Sequence, residues 1–211
     1  MTDAQALATF ETLVKSQEPA TAKWIPVTDY SAQVRDIIEG PMPDLVVSTL
    51  HPKRVLDAGC GYGYLVRALA ERGIDASGFD VQDYREWMQS PKFGFGEVDN
   101  LNGVCPFTGT FDLVVCREVL EHLTIRQIRQ AVRNICAWTT KYVYVTTRFH
   151  PDPKHLLDVA TTDTLDPTHI TMLNQDLLRA LFVLEGMTRR PALETALDWM
   201  QYGRVLVYEK G

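Results

Sequence analysis

The chain has 211 residues, enough for one domain whose core needs neither disulfides nor metal for stability. With 45% hydrophobic and 23% charged residues it has the make-up of a globular protein, and no apolar run reaches the roughly 20 residues that span a bilayer. A formal charge of −6 argues against a broad phosphate-contacting surface, so nucleic acid is not an expected partner, although Arg189 and Arg190 form a local basic pair.

Residues 1–20 carry Leu7, Phe10 and Val14 at helical spacing until Pro19 interrupts, and a second helical stretch runs from Ser31 to Gly40-Pro-Met-Pro43. Asp44 to Leu50 adds another turn. From Arg54 onward the text alternates: strand 54–58, helix 63–72, strand 75–80, a short helix around 82–89 and a strand at 93–98. The buried run Asp112-Leu-Val-Val-Cys116 is a further strand. Thr124-Ile-Arg-Gln127 has the pattern of a capping box and opens a helix with Ile125, Ile128, Val132 and Ile135 on its inner face. Strand Tyr142-Val-Tyr-Val145 follows, then a loop-rich segment 148–173. Asn174 is placed to N-cap a helix bearing Leu177, Leu178, Leu181 and Leu184, and strands close the chain near 187–192 and at 204–209.

Alternating strands and helices predict βαβ units, hence a mainly parallel sheet covered by helices on both faces. The last two strands have no clear crossover helix between them, although 192–202 could hold a turn, so one of them is expected to run antiparallel.

The four cysteines, Cys60, Cys105, Cys116 and Cys136, show no C-x-x-C spacing and are expected as reduced thiols. The opening Met1-Thr-Asp-Ala-Gln lacks the basic flank and apolar core of a signal peptide, which gives a cytoplasmic protein as the expectation.

The chemistry is concentrated in Val55-Leu-Asp-Ala-Gly-Cys-Gly-Tyr-Gly-Tyr-Leu65. An apolar strand ends at Asp57, and glycines at 59, 61 and 63 lead into a helix. Such a turn lets backbone approach a ligand and offers free N–H groups at the helix start. The dinucleotide fingerprint G-x-G-x-x-G lacks its third glycine here, since Tyr64, Leu65 and Val66 follow Gly63. The string closely resembles the first motif of class I S-adenosylmethionine-dependent methyltransferases of the small-molecule type. That resemblance covers residues 50–210 and implies a three-layer Rossmann-like α/β fold with a mostly parallel seven-stranded sheet, one antiparallel strand and N-terminal helices. It implies a single domain over 1–211, with 1–50 as a helical cap segment and 51–211 as the cofactor-binding core. Trp24 and Tyr30 could line the cap side, although core packing is their more ordinary role.

In open α/β sheets ligands lie beyond the carboxyl ends of the strands. The resemblance puts the cofactor on Asp57, Gly59, Cys60, Gly61 and Gly63 after the first strand. Asp80, ending Gly78-Phe79-Asp80, is placed to accept the ribose hydroxyls, with Val81 against adenine. Asp99, with Glu97 as the alternative, stands where the family accepts the adenine amino group, and Asn100 beside it completes recognition. Cys116 and Arg117 border the methionine moiety, chiefly through backbone.

Glu118-Val-Leu-Glu-His122 resembles a string in quinone O-methyltransferases, where its acids and histidine often serve as turn and cap residues. Asp166-Pro-Thr-His-Ile-Thr resembles a segment whose histidine faces the reaction pocket, making His169 the first general-base candidate and His122 the second. His150 and His155 have no equally clear counterpart.

The implied activity is methyl transfer from S-adenosylmethionine, leaving S-adenosylhomocysteine, to a small-molecule acceptor such as a sugar, lipid, quinone or secondary metabolite. O-methylation ranks before N-methylation, and a non-catalytic binding protein is the rival from another class. Neither an Asp/Asn-Pro-Pro-aromatic string nor a Pro-Cys nucleophile follows the fourth strand, which argues against DNA acceptors. The metal site of catechol-type enzymes has no counterpart at Cys116-Arg117, and no metal is expected.

Overall fold

The computed structural model describes residues 37, 40–81, 93–95, 101, 103–150, 152, 154, 157–158 and 169–211. Helix α1 (Met42–Leu50) precedes β1 (Arg54–Ala58), α2 (Tyr64–Glu71), β2 (Asp75–Asp80) and β3 (Phe93–Phe95). Then come β4 (Phe111–Arg117), α3 (Ile125–Trp138), β5 (Thr139–Thr146), β6 (Leu157–Asp158) and β7 (Met172–Leu173). The chain closes with α4 (Gln175–Leu184), β8 (Met187–Arg189), α5 (Pro191–Leu197) and β9 (Leu206–Lys210). The helices expected over 1–20 and 82–89 lie outside the described residues, as do all of 31–40 but Ile37 and Gly40, and Trp24, Tyr30 and His155.

Seven strands form one sheet in the order β3-β2-β1-β4-β5-β9-β8, the seven-stranded arrangement expected from the sequence. β9 pairs antiparallel with both β5 and β8, and every other pairing in this sheet is parallel. The antiparallel strand is therefore β9. A separate ribbon of β6 and β7 lies within the segment read as loop.

Alternation along the central strands sends side chains to two cores. Leu56, Val114, Cys116, Val143 and Val145 pack with Ile128, Val132 and Ile135 of α3 and with Leu178 and Phe182 of α4. Val55, Leu113, Val115, Tyr144 and Val207 pack on the other face with α1, α2 and Leu197 of α5. The result is a three-layer sandwich.

Local signals explain the boundaries. Thr124 caps α3 through a complete capping box with Gln127, and Asn174 Oδ1 accepts from the Asp176 N–H at 2.7 Å to start α4. β8 is shorter than expected because Pro191 opens α5, which replaces the anticipated turn.

Candidate active site

Strand order reverses between β1 and β4, each neighbouring the other while their crossovers go to opposite sides. This is the switch point where an open sheet leaves a crevice at its carboxyl edge. Two chain segments border it: the glycine turn after β1 and residues 118–122 after β4.

The glycine turn is tied to β2. The N–H groups of Gly59 and Cys60 both donate to the Phe79 carbonyl, at 2.9 and 3.0 Å, and Gly63 N–H donates to the Cys60 carbonyl at 2.9 Å. Gly61 N–H donates to Asp80 Oδ2 at 2.8 Å. Gly59 has φ +85° and lies against Val119, whose side chain would collide with any Cβ at this position. A second close approach occurs at Gly78, where a Cβ would come within 2.9 Å of both Val66 and Cys60. The turn is thus folded down onto β2, and Val119 joins it to the segment beyond β4.

Burial sets the charge states. Asp57 is buried at the end of β1, which pushes its carboxyl up to about 7; Arg117 opposes this shift and Asp80 adds to it. The Cys60 thiol is raised well above its ordinary value by burial and by Asp57 and Asp80, so it is protonated and unreactive at neutral pH. Val81 is half-buried beyond Asp80. Cys116 points into the core with α3, which leaves only its backbone for a ligand, while Arg117 next to it is half-buried. Asp99 and Asn100 lie outside the described residues, and so does Glu97.

On the other side of the crevice, Glu118 has φ +50° and its N–H donates to the Thr146 carbonyl at 2.9 Å. A non-glycine residue in this region is uncommon and marks a locally strained turn. The chain then makes a short 3₁₀ turn over Leu120–His122. Glu121 is buried within it: Oε2 accepts from Thr147 Oγ1 at 2.7 Å and Oε1 accepts from Arg148 N–H at 3.3 Å. Burial, followed by the Glu118 charge, pushes this carboxyl up to about 7 as well.

His122 and His169, 47 residues apart, come together with ring centroids 4.9 Å apart in an edge-to-face pair. Two backbone bonds bring them there, from Ile170 N–H and Thr171 N–H to the Glu121 carbonyl at 2.9 and 3.1 Å. His169 is buried and His122 half-buried.

Arg204, just before β9, carries no motif in the sequence. It reaches Glu118 Oε2 at 2.5 Å and is itself held by the carbonyl and side chain of Gln201. Nothing in the local sequence signals a contact spanning 86 positions. The sequence marks Glu121 only as a turn acid; its i, i+3 spacing from Glu118 and its adjacency to His122 are the signal for more.

A family model described as a methyltransferase domain matches residues 33–187. A ubiquinone biosynthesis O-methyltransferase from Acinetobacter baylyi is 28% identical over 134 residues, covering 57% of this chain and 52% of its own length. The chain therefore spans about half of that relative. Among solved structures, an O-methyltransferase family protein from Burkholderia thailandensis superposes with a TM-score of 0.60 at 18% identity, covering 86% of this chain and 58% of that one. Magnesium protoporphyrin IX methyltransferase from Synechocystis, crystallised with bound SAM, gives 0.57 at 16% identity over 95% and 97% of the two chains. At these identities the structural likeness concerns the fold.

Proposed function

This chain belongs to the methyltransferase-domain family, and from that premise we propose that it transfers a methyl group from S-adenosylmethionine to the oxygen of a small-molecule acceptor. The observation that carries this reading is the crevice at the switch point. One wall is a glycine turn bound to the acid that ends β2, and the other is an acid–histidine cluster with no role in the sheet.

The ribose hydroxyls would replace Gly61 N–H as the partners of Asp80, or share its second oxygen. Val81 borders the adenine, Asp99 and Asn100 are its polar partners, and the backbone of Cys116 and Arg117 borders the methionine end. The sulfonium methyl is already activated, so the protein has chiefly to hold the acceptor oxygen about 3 Å away, in line, in a dry site. His169 and His122 take or fix the acceptor's hydroxyl proton. The oxygen lone pair then forms the new C–O bond, the C–S pair returns to sulfur, and S-adenosylhomocysteine leaves as a neutral thioether.

The quinone-type name of a relative, together with the resemblance of Glu118-Val-Leu-Glu-His122 to a string in quinone O-methyltransferases, favours a hydroxylated aromatic acceptor over a sugar or lipid. The test is formation of S-adenosylhomocysteine from S-adenosylmethionine with a panel of catechols, phenols, sugars and amines. Product with phenolic hydroxyls and none with amines supports the reading. Turnover confined to amines overturns the choice of oxygen, and cofactor binding without turnover on any acceptor favours a binding protein.

A further inference from the structure

Two imidazoles and a carboxylate meet at the acceptor wall, a combination the histidine reading alone does not require. Candidate ligand atoms of Glu121, His122 and His169 all lie within 4.8 Å of one another. A divalent ion with bonds of about 2.1 Å holds its donors roughly 3.4–4.2 Å apart, so small side-chain rotations would close this cluster around one ion.

The surroundings are those of a built ligand set rather than of a polar accident. Both oxygens of Glu121 are already oriented, by the Thr147 hydroxyl and the Arg148 N–H, as outer-shell partners orient a ligating carboxylate. The backbone bonds from Ile170 and Thr171 to Glu121 fix the two ligand-bearing segments against each other. Glu118, three residues before Glu121, keeps Oε1 buried with no hydrogen-bond partner, while Oε2 goes to Arg204. An acceptor buried without a donor costs stability unless something else satisfies it.

We propose that Glu121, His122 and His169 form a divalent-cation site, with Glu118 available as a further donor. Mixed imidazole and carboxylate donors suit Zn²⁺, Mn²⁺, Fe²⁺ or Co²⁺ rather than Ca²⁺, which takes oxygen ligands. The role of the ion rests on the methyl-transfer reading; its binding does not. An acceptor hydroxyl coordinated there loses its proton to water more readily, and its oxygen keeps the pair that attacks the methyl carbon. His169 then positions the acceptor through the ion instead of receiving its proton.

The experiment uses the full chain freed of metal by a chelator. Co²⁺ is titrated and followed by its visible absorption, with Zn²⁺ titrated by calorimetry. One ion per chain at micromolar or tighter affinity is expected, weakened at least tenfold in H122N, E121Q and H169A, since loss of an outer-shell partner alone costs about 10–100-fold. His169 is buried, so the melting curve of H169A is recorded to separate unfolding from ligand loss; H122N, at a half-buried position, keeps the test decisive. No Co²⁺ absorption band in the wild type, or unchanged affinity in H122N, overturns the site. Calorimetry of S-adenosylmethionine on the same metal-free wild type separates the two readings. Ion binding without cofactor binding removes the methyl-transfer reading alone, and cofactor binding without ion binding removes the cation site alone.

Discussion

The backbone N–H of Gly61 donates to Asp80 Oδ2 at 2.8 Å, so the turn after β1 holds the carboxylate that ends β2 on the same wall of the crevice. The pair keeps the carboxylate in place before any ligand arrives, which reduces the ordering that binding must do. Asp80→Ala is expected to weaken S-adenosylmethionine binding by about 1.5–3 kcal/mol, the scale of a charge-assisted hydrogen bond. Asp80→Asn should lose less, because its amide oxygen still accepts. Calorimetry checks both, and an Asp80→Ala variant that binds like the wild type removes Asp80 from the ribose.

Gly59 tests the joint between the two walls. A methyl group there meets Val119, and φ +85° disfavours any L side chain. Strain and overlap together should cost Gly59→Ala on the order of 2–4 kcal/mol in denaturant unfolding. Val119→Ala in that background relieves only the overlap, so the double variant should recover part of the loss. A Gly59→Ala protein as stable as the wild type would contradict the packing of residues 118–122 onto the turn.

Asp57 gives a pH prediction for the ligand-free protein. Its carboxyl moves from an ordinary value of 3.8 to about 7 on folding, so between those values the folded state holds more protons than the unfolded one. Its contribution to stability is therefore largest below about pH 4, falls as pH rises through 7, and is constant above. Asp57→Asn removes the titration, so its stability relative to the wild type should improve steadily from pH 4 to 7. Parallel pH profiles of the two proteins would refute the buried, raised carboxyl.

The core of the fold was legible because local chemistry and tertiary packing agree. The glycine string, the Thr124–Gln127 box and the Asn174 cap each act within a few residues, and the structure has all three. β5 begins at Thr139 rather than Tyr142, and Thr139 Oγ1 donates to the Tyr142 carbonyl at 2.7 Å, a side-chain bond that periodicity does not report. The acceptor side was legible only as separate residues. His122 and His169 meet through backbone bonds to the Glu121 carbonyl, and Glu118 meets Arg204 from the far end of the chain. Contacts of that range follow from how β5, β7 and β9 are placed, and no spacing rule encodes them.

His169 carries the prediction about chemistry. It is buried, packed edge-to-face against His122, and immediately precedes the two residues whose N–H groups bond the Glu121 carbonyl. His169→Ala should leave S-adenosylmethionine affinity nearly unchanged while lowering turnover about 10²-fold or more, the scale of general acid–base or positioning losses. Melting curves recorded with the kinetics separate a chemical loss from unfolding. Full turnover by a folded His169→Ala variant would remove the residue from the reaction and leave His122 as the imidazole to test. A loss of cofactor affinity equal to the loss of turnover would instead place His169 on the cofactor side of the crevice.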